Sequence, residues 1–351
     1  MSRFGVASTA LALSSDRRLA ELVDEAKAIG AGIGGTSMVM NIDGVPVFAK
    51  RIPLTDVERR PENVMSTANM FGLPTFCQYG VGGPVFGAWR ELAANTMTTN
   101  WVLTSQTEAF PLMYHWRILP GSPPVADEHA DVDRTVAYWE GSPAVRERLH
   151  AVASASASIV LFLEYIPLNL SEWLPIQLTA GEEAVTAASA LVERCLRTDI
   201  AFMNANGLLH FDAHFRNVLT DGRRLYFADL GLATSPHFDL SPEESDFVAR
   251  NLSHDLGYAL MTLVNWLVTN VCEVPNPATG GPAARNAYIR RCAAGEEPAG
   301  IPAPLAATIT RNAPVAAAMN GFYWDLFGES RATTYPAEQV RRALTLAAQP
   351  Q

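Results

Sequence analysis

Two short segments in the second half of the chain combine residue types that suit phosphate and metal chemistry. The first, residues 210–217, reads HFDAHFRN, and the second, residues 229–231, reads DLG. A carboxylate can orient a hydroxyl and accept its proton, while carboxylate and amide oxygens are the hard ligands that Mg²⁺ prefers. A single aspartate at a strand end is usually a turn or cap residue. The prediction of chemistry therefore rests on the combination of these residues.

The two segments resemble the catalytic loop H-x-D-x-x-x-x-N of protein kinases and aminoglycoside phosphotransferases and their metal-binding D-F-G triplet, here with leucine in place of phenylalanine. The resemblance implies that Asp212 is the catalytic base and that Asn217 and Asp229 hold Mg²⁺. It also implies that ATP or another nucleoside triphosphate is the phosphoryl donor. We expect Gly231 to let the chain turn sharply after Asp229.

Two histidines belong to the expected catalytic set. His210 opens the catalytic-loop motif, and His214 stands two residues after Asp212. Protein Ser/Thr kinases usually carry lysine at the position of His214, whereas small-molecule phosphotransferases often carry histidine. Phe211 replaces the arginine that reads a phosphorylated activation loop, and no A-P-E triplet follows Asp229. We therefore expect no phosphorylation switch of the eukaryotic type.

A glycine-rich stretch in the N-terminal half is a second, independent signal. Residues 38–42 and 45–50 have the composition of two strands, and Asp43-Gly44 between them is a preferred pair for a two-residue hairpin turn. Backbone N–H groups of the preceding turn could close over phosphates. The turn is not a Walker loop, because no Gly-Lys-Ser/Thr follows it. The expected phosphate contacts are Gly32, Gly34, Gly35, Thr36 and Ser37.

The second of these strands ends in VFAK, which resembles the V-A-I-K motif of kinases. The resemblance implies that Lys50 contacts the α- and β-phosphates. A lysine in that role needs a carboxylate partner, for which we expect Glu91 and keep Glu58 and Glu62 as alternatives.

An apolar run over residues 158–165 predicts a buried strand whose end resembles the kinase hinge. In that resemblance, backbone groups near Glu164 and Ile166 bind the adenine edge of the nucleotide.

The order of elements, strands and one helix first and helices afterwards, predicts an α+β protein with a two-lobed, protein-kinase-like fold. We expect an N-terminal extension at 1–27, a β-rich N-lobe at 28–166 with insertions at 55–88 and 120–152, and a mainly helical C-lobe with the catalytic loop at 167–351. Periodicity predicts helices near 15–29, 85–98, 131–151 and 182–206, strands near 112–119, 217–219 and 225–228, and a loop over 276–304.

Composition limits the classes of partner. The charge of 26 − 36 = −10 disfavours nucleic-acid binding, because phosphate recognition needs a basic surface. The longest apolar stretch, residues 256–274, contains asparagine and glutamate and predicts a buried core helix, so we expect no membrane partner. Four cysteines without a CxxC pair fit a reducing compartment, and we expect the protein to be cytoplasmic.

A closer resemblance concerns the acceptor. Residues 48–56 and the segment from Glu62 to Ala94 resemble actinobacterial kinase homologues of class V lanthipeptide and thioamitide biosynthesis. The resemblance implies phosphorylation of Ser or Thr in a precursor peptide, with a phosphate-eliminating lyase as partner. The alternatives are a small-molecule kinase of the aminoglycoside type, which His214 favours, and a pseudokinase that binds a peptide as a scaffold.

Overall fold

The computed structural model describes residues 2–32, 35–80, 83–275 and 281–348. These residues form a mixed α+β protein. Contacts divide the chain into two units. The first unit comprises residues 1–166, 210–212 and 228–246, and the second comprises 167–209, 213–227 and 247–351.

A five-stranded antiparallel sheet organises the first unit, with strand order β1-β2-β3-β5-β4. Its central strand, β3, is hydrogen-bonded to β2 on one side and to β5 on the other. The strands are β1 (Lys27–Gly32), β2 (Gly35–Ile42), β3 (Val45–Leu54), β4 (Met113–Pro120) and β5 (Ala157–Glu164).

Helices cover both faces of this sheet. Leu19 and Val23 of the second helix join a buried cluster with Ala49 and Phe162 of the sheet. On the opposite face, Trp89 and its neighbours pack against a second set of sheet residues. The helices are α1 (Ser2–Leu13), α2 (Asp16–Glu25) and α3 (Ala88–Leu103).

A third cluster supports the start of α3. Phe71 and Phe86 pack there with Trp139, which directly follows helix α4 (Val132–Tyr138), and with Leu149 of helix α5 (Pro143–Ala153). The break that Gly141-Ser142-Pro143 predicts within the helical run 131–151 is confirmed, since it separates α4 from α5, and Pro143 begins the second helix. Proline is favoured in the first helical turn, where its missing N–H removes no intrahelical bond.

The second unit is mainly helical and carries a small three-stranded sheet. Its longest helices have buried apolar faces, and residues 256–274, predicted as a core helix, fall largely in a helix with eleven buried residues. The strands are β6 (Leu168–Asn169), β7 (Val218–Thr220) and β8 (Leu225–Phe227). The helices are α6 (Leu170–Ala180), α7 (Glu182–Ala205), α8 (Pro242–Arg250), α9 (His254–Asn270), α10 (Ala283–Ala293), α11 (Ala303–Gly328) and α12 (Ala337–Ala347). The first part of α8, up to Asp246, belongs to the first unit.

Two predicted elements are wrong. The helix expected over 15–29 ends at Glu25, and residues 27–32 form β1, because Gly30 pairs with Ser37 of β2 instead of ending a helix. The loop expected over 276–304 contains α10 and the start of α11. Pro282 and Pro302 are the N-caps of these helices, so prolines that were taken to indicate a loop mark helix starts. Residues 276–280 lie outside the described residues.

Within the described part of the chain, no helix combines the length and apolar character needed to cross a bilayer.

Candidate functional site

Lys50 lies at the middle of the first unit's sheet. It pairs with Ser37 on β2 and with Leu161 on β5, and only 5% of the residue is exposed. Its Nζ lies 2.6 Å from Glu91 Oε1 and 2.7 Å from Asp229 Oδ1. A strand, a helix and the DLG segment therefore converge on one ammonium group.

Helix α3 supplies the carboxylate partner. Glu91 lies in the first turn of α3 and is 2% exposed. Of the three candidate glutamates, only Glu91 contacts Lys50. Glu58 is instead paired with Arg148 at 3.0 Å, and Glu62 is exposed in a single 3₁₀ turn.

The electrostatics of the cluster favour the ionised forms of Lys50 and Asp229. Burial opposes the charge on Lys50, but the two carboxylates outweigh it and raise its pKa. Burial also opposes ionisation of Asp229, yet Lys50 outweighs it and lowers the pKa of Asp229. Burial raises the pKa of Glu91, and the charge of Lys50 opposes that rise. With both carboxylates ionised, one ammonium and two carboxylates leave one net negative charge.

Asp229 is the exposed member of the cluster, with 46% of its side chain accessible. Its backbone lies in the left-handed region, at φ 57°, and the N–H of Gly231 donates a hydrogen bond to its carboxylate. The chain does turn after Asp229, in a 3₁₀ turn over Leu230–Leu232 with Gly231 at its centre, but the residue in the left-handed region is Asp229 and not Gly231. Gly231 instead provides space, since a Cβ there would lie 3.2 Å from Glu91 Oε2.

His210 connects the two motif segments. It is fully buried, its Nε2 lies 3.0 Å from the carbonyl oxygen of Ala228, and its Nδ1 accepts a hydrogen bond of 3.3 Å from the N–H of Asp212. An Nδ1 that accepts cannot carry a proton, so the proton sits on Nε2. One imidazole thus ties the backbone before Asp229 to the backbone of Asp212.

Backbone strain is concentrated at the same place. Phe211, between His210 and Asp212, has φ 61°, which is uncommon for a bulky residue. Its ring is buried and packs edge-on against Tyr79, with ring centroids 6.1 Å apart. Left-handed residues such as Phe211 and Asp229 persist where packing fixes them, and they occur most often at functional sites.

The glycine-rich hairpin adjoins Lys50 through the sheet ladder. Gly32 pairs with Gly35, Thr36 pairs with Arg51, and Ser37 lies directly opposite Lys50. Gly35 has φ 121°, and a Cβ there would lie 2.0 Å from the carbonyl oxygen of Arg51. Only glycine fits this position. Ile33 and Gly34, the latter an expected phosphate contact, lie outside the described residues.

The expected adenine-binding segment follows β5. The N–H of Glu164 already donates to the carbonyl oxygen of Leu112 at 2.7 Å. Within the described residues, the N–H of Ile166 has no such backbone partner. Of these two amides, that of Ile166 is therefore the one suited to a nucleotide base.

Two expected residues, His214 and Asn217, belong to the second unit. They form one turn, in which the N–H of Asn217 donates to the carbonyl oxygen of His214 at 2.8 Å. His214 Nδ1 accepts from the N–H of Arg216 at 3.2 Å. Neither side chain is fully buried.

Sequence reasoning missed two buried ion pairs that hold α3. Glu58 Oε1 accepts from the N–H of Ala88 at 2.8 Å, which caps the helix, and Glu58 Oε2 contacts Arg148. In the same first turn, Arg90 contacts Glu244 at 2.7 Å, and both side chains are at most 7% exposed. A signal was present, because Arg148 stands at an inward position of an amphipathic helix pattern.

The expected Mg²⁺ fits this donor set. Among the described residues, no group of three His, Cys, Asp or Glu side chains could hold a metal alone. Mg²⁺ in phosphoryl-transfer sites needs less than that, since one or two protein oxygens, phosphates and water complete its shell. The accessible carboxylate of Asp229, whose pKa Lys50 lowers, meets that requirement.

Comparison of the chain with models of known protein families gives no match, and comparison with curated proteins gives no significant match.

Proposed function

We propose that this protein is a nucleoside-triphosphate- and Mg²⁺-dependent phosphotransferase with a two-lobed, protein-kinase-like fold. The observation that carries the proposal is the contact of the Lys50 ammonium with both Glu91 and Asp229. These residues lie 41 and 179 positions from Lys50 in sequence. Their convergence on the lysine of the VFAK motif supports the kinase resemblance independently of the motif spacing.

The chain's own residues have distinct tasks in the proposed reaction. Asp212 orients the acceptor hydroxyl and takes its proton as the acceptor oxygen bonds to the γ-phosphorus. The bond from that phosphorus to the bridging oxygen breaks, and the nucleoside diphosphate leaves. Lys50 stabilises the α- and β-phosphates, and Glu91 holds it in place. Bound Mg²⁺ would be held by Asp229, with Asn217 as the second ligand that the motif assigns, and would neutralise phosphate charge.

We further propose Ser or Thr of a precursor peptide as the acceptor, with ATP as donor and a phosphate-eliminating lyase as the next enzyme. The sequence resemblance to kinase homologues of lanthipeptide and thioamitide pathways supports this acceptor. His214 supports a second candidate, an aminoglycoside-type small-molecule kinase. A non-catalytic scaffold is disfavoured because Lys50, Asp212, Asn217 and Asp229 are all retained.

Turnover tests the proposal directly. Purified protein with MgATP and a synthetic Ser/Thr-rich peptide should form ADP and a monophosphorylated peptide, detected by mass spectrometry. Asp212→Asn should retain the MgATP-dependent thermal shift and lower the rate by roughly 10²–10⁴-fold.

Kanamycin as the acceptor separates the alternatives. Phosphate on kanamycin but on no peptide would favour the small-molecule kinase. A thermal shift with MgATP and no ADP from any acceptor would favour the scaffold. Absence of both a shift and ADP formation would reject the phosphotransferase.

A further inference from the structure

Three helices of the second unit line a solvent-open cavity of about 460 Å³ that the proposed reaction does not use. It lies among α9, the start of α10 and the C-terminal half of α11, within the volume range of small-molecule sites. Its walls are largely aromatic, formed by Tyr258, Tyr323, Trp324 and Phe327.

Trp324 marks where this cavity reaches solvent. Its side chain is large and apolar, yet the residue is 50% exposed. A Cβ at Gly281 would lie 3.6 Å from its ring, so the ring lies over glycine backbone. An aromatic plane that is half exposed at a cavity edge offers a stacking surface for a planar ligand.

The polar groups of the wall are unequal. Asn265 and Asn320 satisfy each other through reciprocal hydrogen bonds of 3.0 and 2.9 Å. Arg285 is different. Its Nε is buried and has no hydrogen-bond partner in the described part of the chain, and its one side-chain contact there is a 3.3 Å bond to Asn286 Oδ1.

Among the described residues, no carboxylate pairs with Arg285. Burial lowers the pKa of its guanidinium, and no carboxylate contributes to the shift. The undescribed residues 276–280, just before this helix, read NPATG and contain no Asp or Glu. A guanidinium keeps its charge at any physiological pH. Arg285 is a half-buried cation whose buried Nε has no acceptor in the described part of the chain, and a ligand oxyanion at this position would supply one.

We propose that this cavity binds a small planar aromatic compound carrying one carboxylate or comparable oxyanion, with its ring against Tyr323, Trp324 and Phe327 and its anion on Arg285. The site is separate from the phosphotransferase residues, and the inference does not depend on their activity. The geometry requires both features of the ligand. A neutral aromatic compound leaves Arg285 unpaired, and a small inorganic anion leaves the aromatic wall uncovered.

Isothermal titration calorimetry tests this site with 2-naphthoate, indole-3-acetate and phenyl phosphate as probes. The neutral analogue 2-naphthylmethanol is the ligand control. Arg285→Gln is the test variant. Arg290→Gln is its matched control, because Arg290 lies on the same helix with an exposed side chain.

At least one anionic probe should bind the wild type and Arg290→Gln equally. Arg285→Gln should weaken that binding by roughly tenfold or more, the usual effect of a charge-assisted hydrogen bond. On the wild type, 2-naphthylmethanol should bind roughly tenfold or more weakly than 2-naphthoate, a comparison that needs no variant. Lys50→Met should leave probe binding unchanged, whatever its effect on phosphoryl transfer.

Two results would overturn the inference. One is the absence of binding by all three anionic probes. The other is binding that neither Arg285→Gln nor the neutral analogue weakens, which would indicate nonspecific association with aromatic surface.

Discussion

Lys50 is the side chain that joins the two carboxylates of the candidate site. It is one of only two lysines in the chain, and it is buried between two carboxylates, whereas Lys27 is exposed. Removing one partner of a buried ion pair leaves an uncompensated charge, which costs far more than the net stabilisation by the pair.

Lys50→Met should therefore abolish MgATP-dependent turnover and lower the free energy of unfolding by about 3 kcal/mol, because Glu91 loses its cation. Denaturant unfolding and ADP formation measure the two effects. Lys27→Met is the control and should change stability by less than about 0.5 kcal/mol. A Lys50→Met variant with wild-type turnover would remove Lys50 from the proposed mechanism.

Gly35 gives a second prediction for a single residue. Gly35→Ala should destabilise the protein by about 2 kcal/mol or more, because the new Cβ would overlap the carbonyl oxygen of Arg51. Gly44 is a matched control on the neighbouring turn, since it also has a positive φ, 84°, but no atom within 4 Å of a Cβ. Gly44→Ala should cost about 1 kcal/mol. Equal unfolding free energies for the two variants would contradict this account.

The residues in contact with Lys50 show what a sequence can reveal. The VFAK and DLG segments have local motifs, and Glu91 was one of three candidate glutamates. Whether Glu91 can reach Lys50 depends on where α3 begins. Glu58 caps the start of α3, and Arg148 holds Glu58 in place. Such pairings span up to 90 residues and leave no local spacing to recognise.

At the level of elements, helix α3 is held from two directions. Glu58 caps its first turn and is itself held by Arg148. Arg90, one residue before Glu91, is paired with Glu244, and Arg90 Nε also donates to the carbonyl oxygen of Thr67 at 2.6 Å. These contacts fix the rotation of α3, and hence the direction in which Glu91 points.

Arg148→Met tests this anchor. The buried Glu58 carboxylate would lose its counterion, so the free energy of unfolding should fall by about 3–5 kcal/mol. Arg146→Met on the same helix is the control, because Arg146 forms an exposed pair with Asp133 that should contribute at most about 1 kcal/mol. Thermal and urea unfolding measure both. If the two variants lost equal stability, the anchoring role would be wrong.

Glu193 of α7 gives a pH prediction within the second unit. Burial opposes its charge, but hydrogen bonds and charge from Arg311, Asn312 and Arg197 outweigh it and lower its pKa. A carboxyl with a lowered pKa contributes stability above its unfolded value and loses it as pH falls through the folded value. Glu193→Gln should therefore destabilise the protein at pH 7 and do so progressively less below about pH 4.5.

Urea unfolding at several pH values measures the difference between wild type and Glu193→Gln. Glu183→Gln, at an exposed position of the same helix, is the control and should change stability by less than about 0.5 kcal/mol. A constant deficit of Glu193→Gln from pH 7 to pH 3 would show that the lost contacts, not the ionisation, are what matter.

The sequence predicted elements best where one periodicity dominates. The Asp43-Gly44 hairpin, the apolar strand β5 and the long helix α7 were confirmed within a few residues. Prediction from the sequence failed where contacts with distant residues override the local pattern. β1 contains two glycines and is a strand because β2 pairs with it. α10 is flanked by prolines that were taken to indicate a loop.

At the scale of the whole molecule, the first unit is not one continuous stretch of chain. It includes residues 228–246, which contain Asp229, in addition to residues 1–166. Of the two partners of Lys50, Glu91 therefore precedes helices α6 and α7 of the second unit in sequence, and Asp229 follows them.

A fragment of residues 1–166 tests this consequence. It keeps Lys50 and Glu91 but lacks Asp229, so it should show no MgATP-dependent thermal shift, while the full chain should show one. Circular dichroism is the control for residual folding. A folded fragment that binds MgATP as the full chain does would show that Asp229 is dispensable for nucleotide binding.

The burial of Lys50 on the central strand also provides a built-in conformational reporter. A lysine-specific protease has only two sites in this chain, after the exposed Lys27 on edge strand β1 and after Lys50. Proteases bind several residues of a substrate in an extended conformation without hydrogen bonds to other strands. The residues around Lys50 do not meet this requirement while β3 is hydrogen-bonded to β2 and β5. The fragment beginning at Arg51 should therefore accumulate only as the sheet opens, and its rate of appearance would follow sheet opening without any added label.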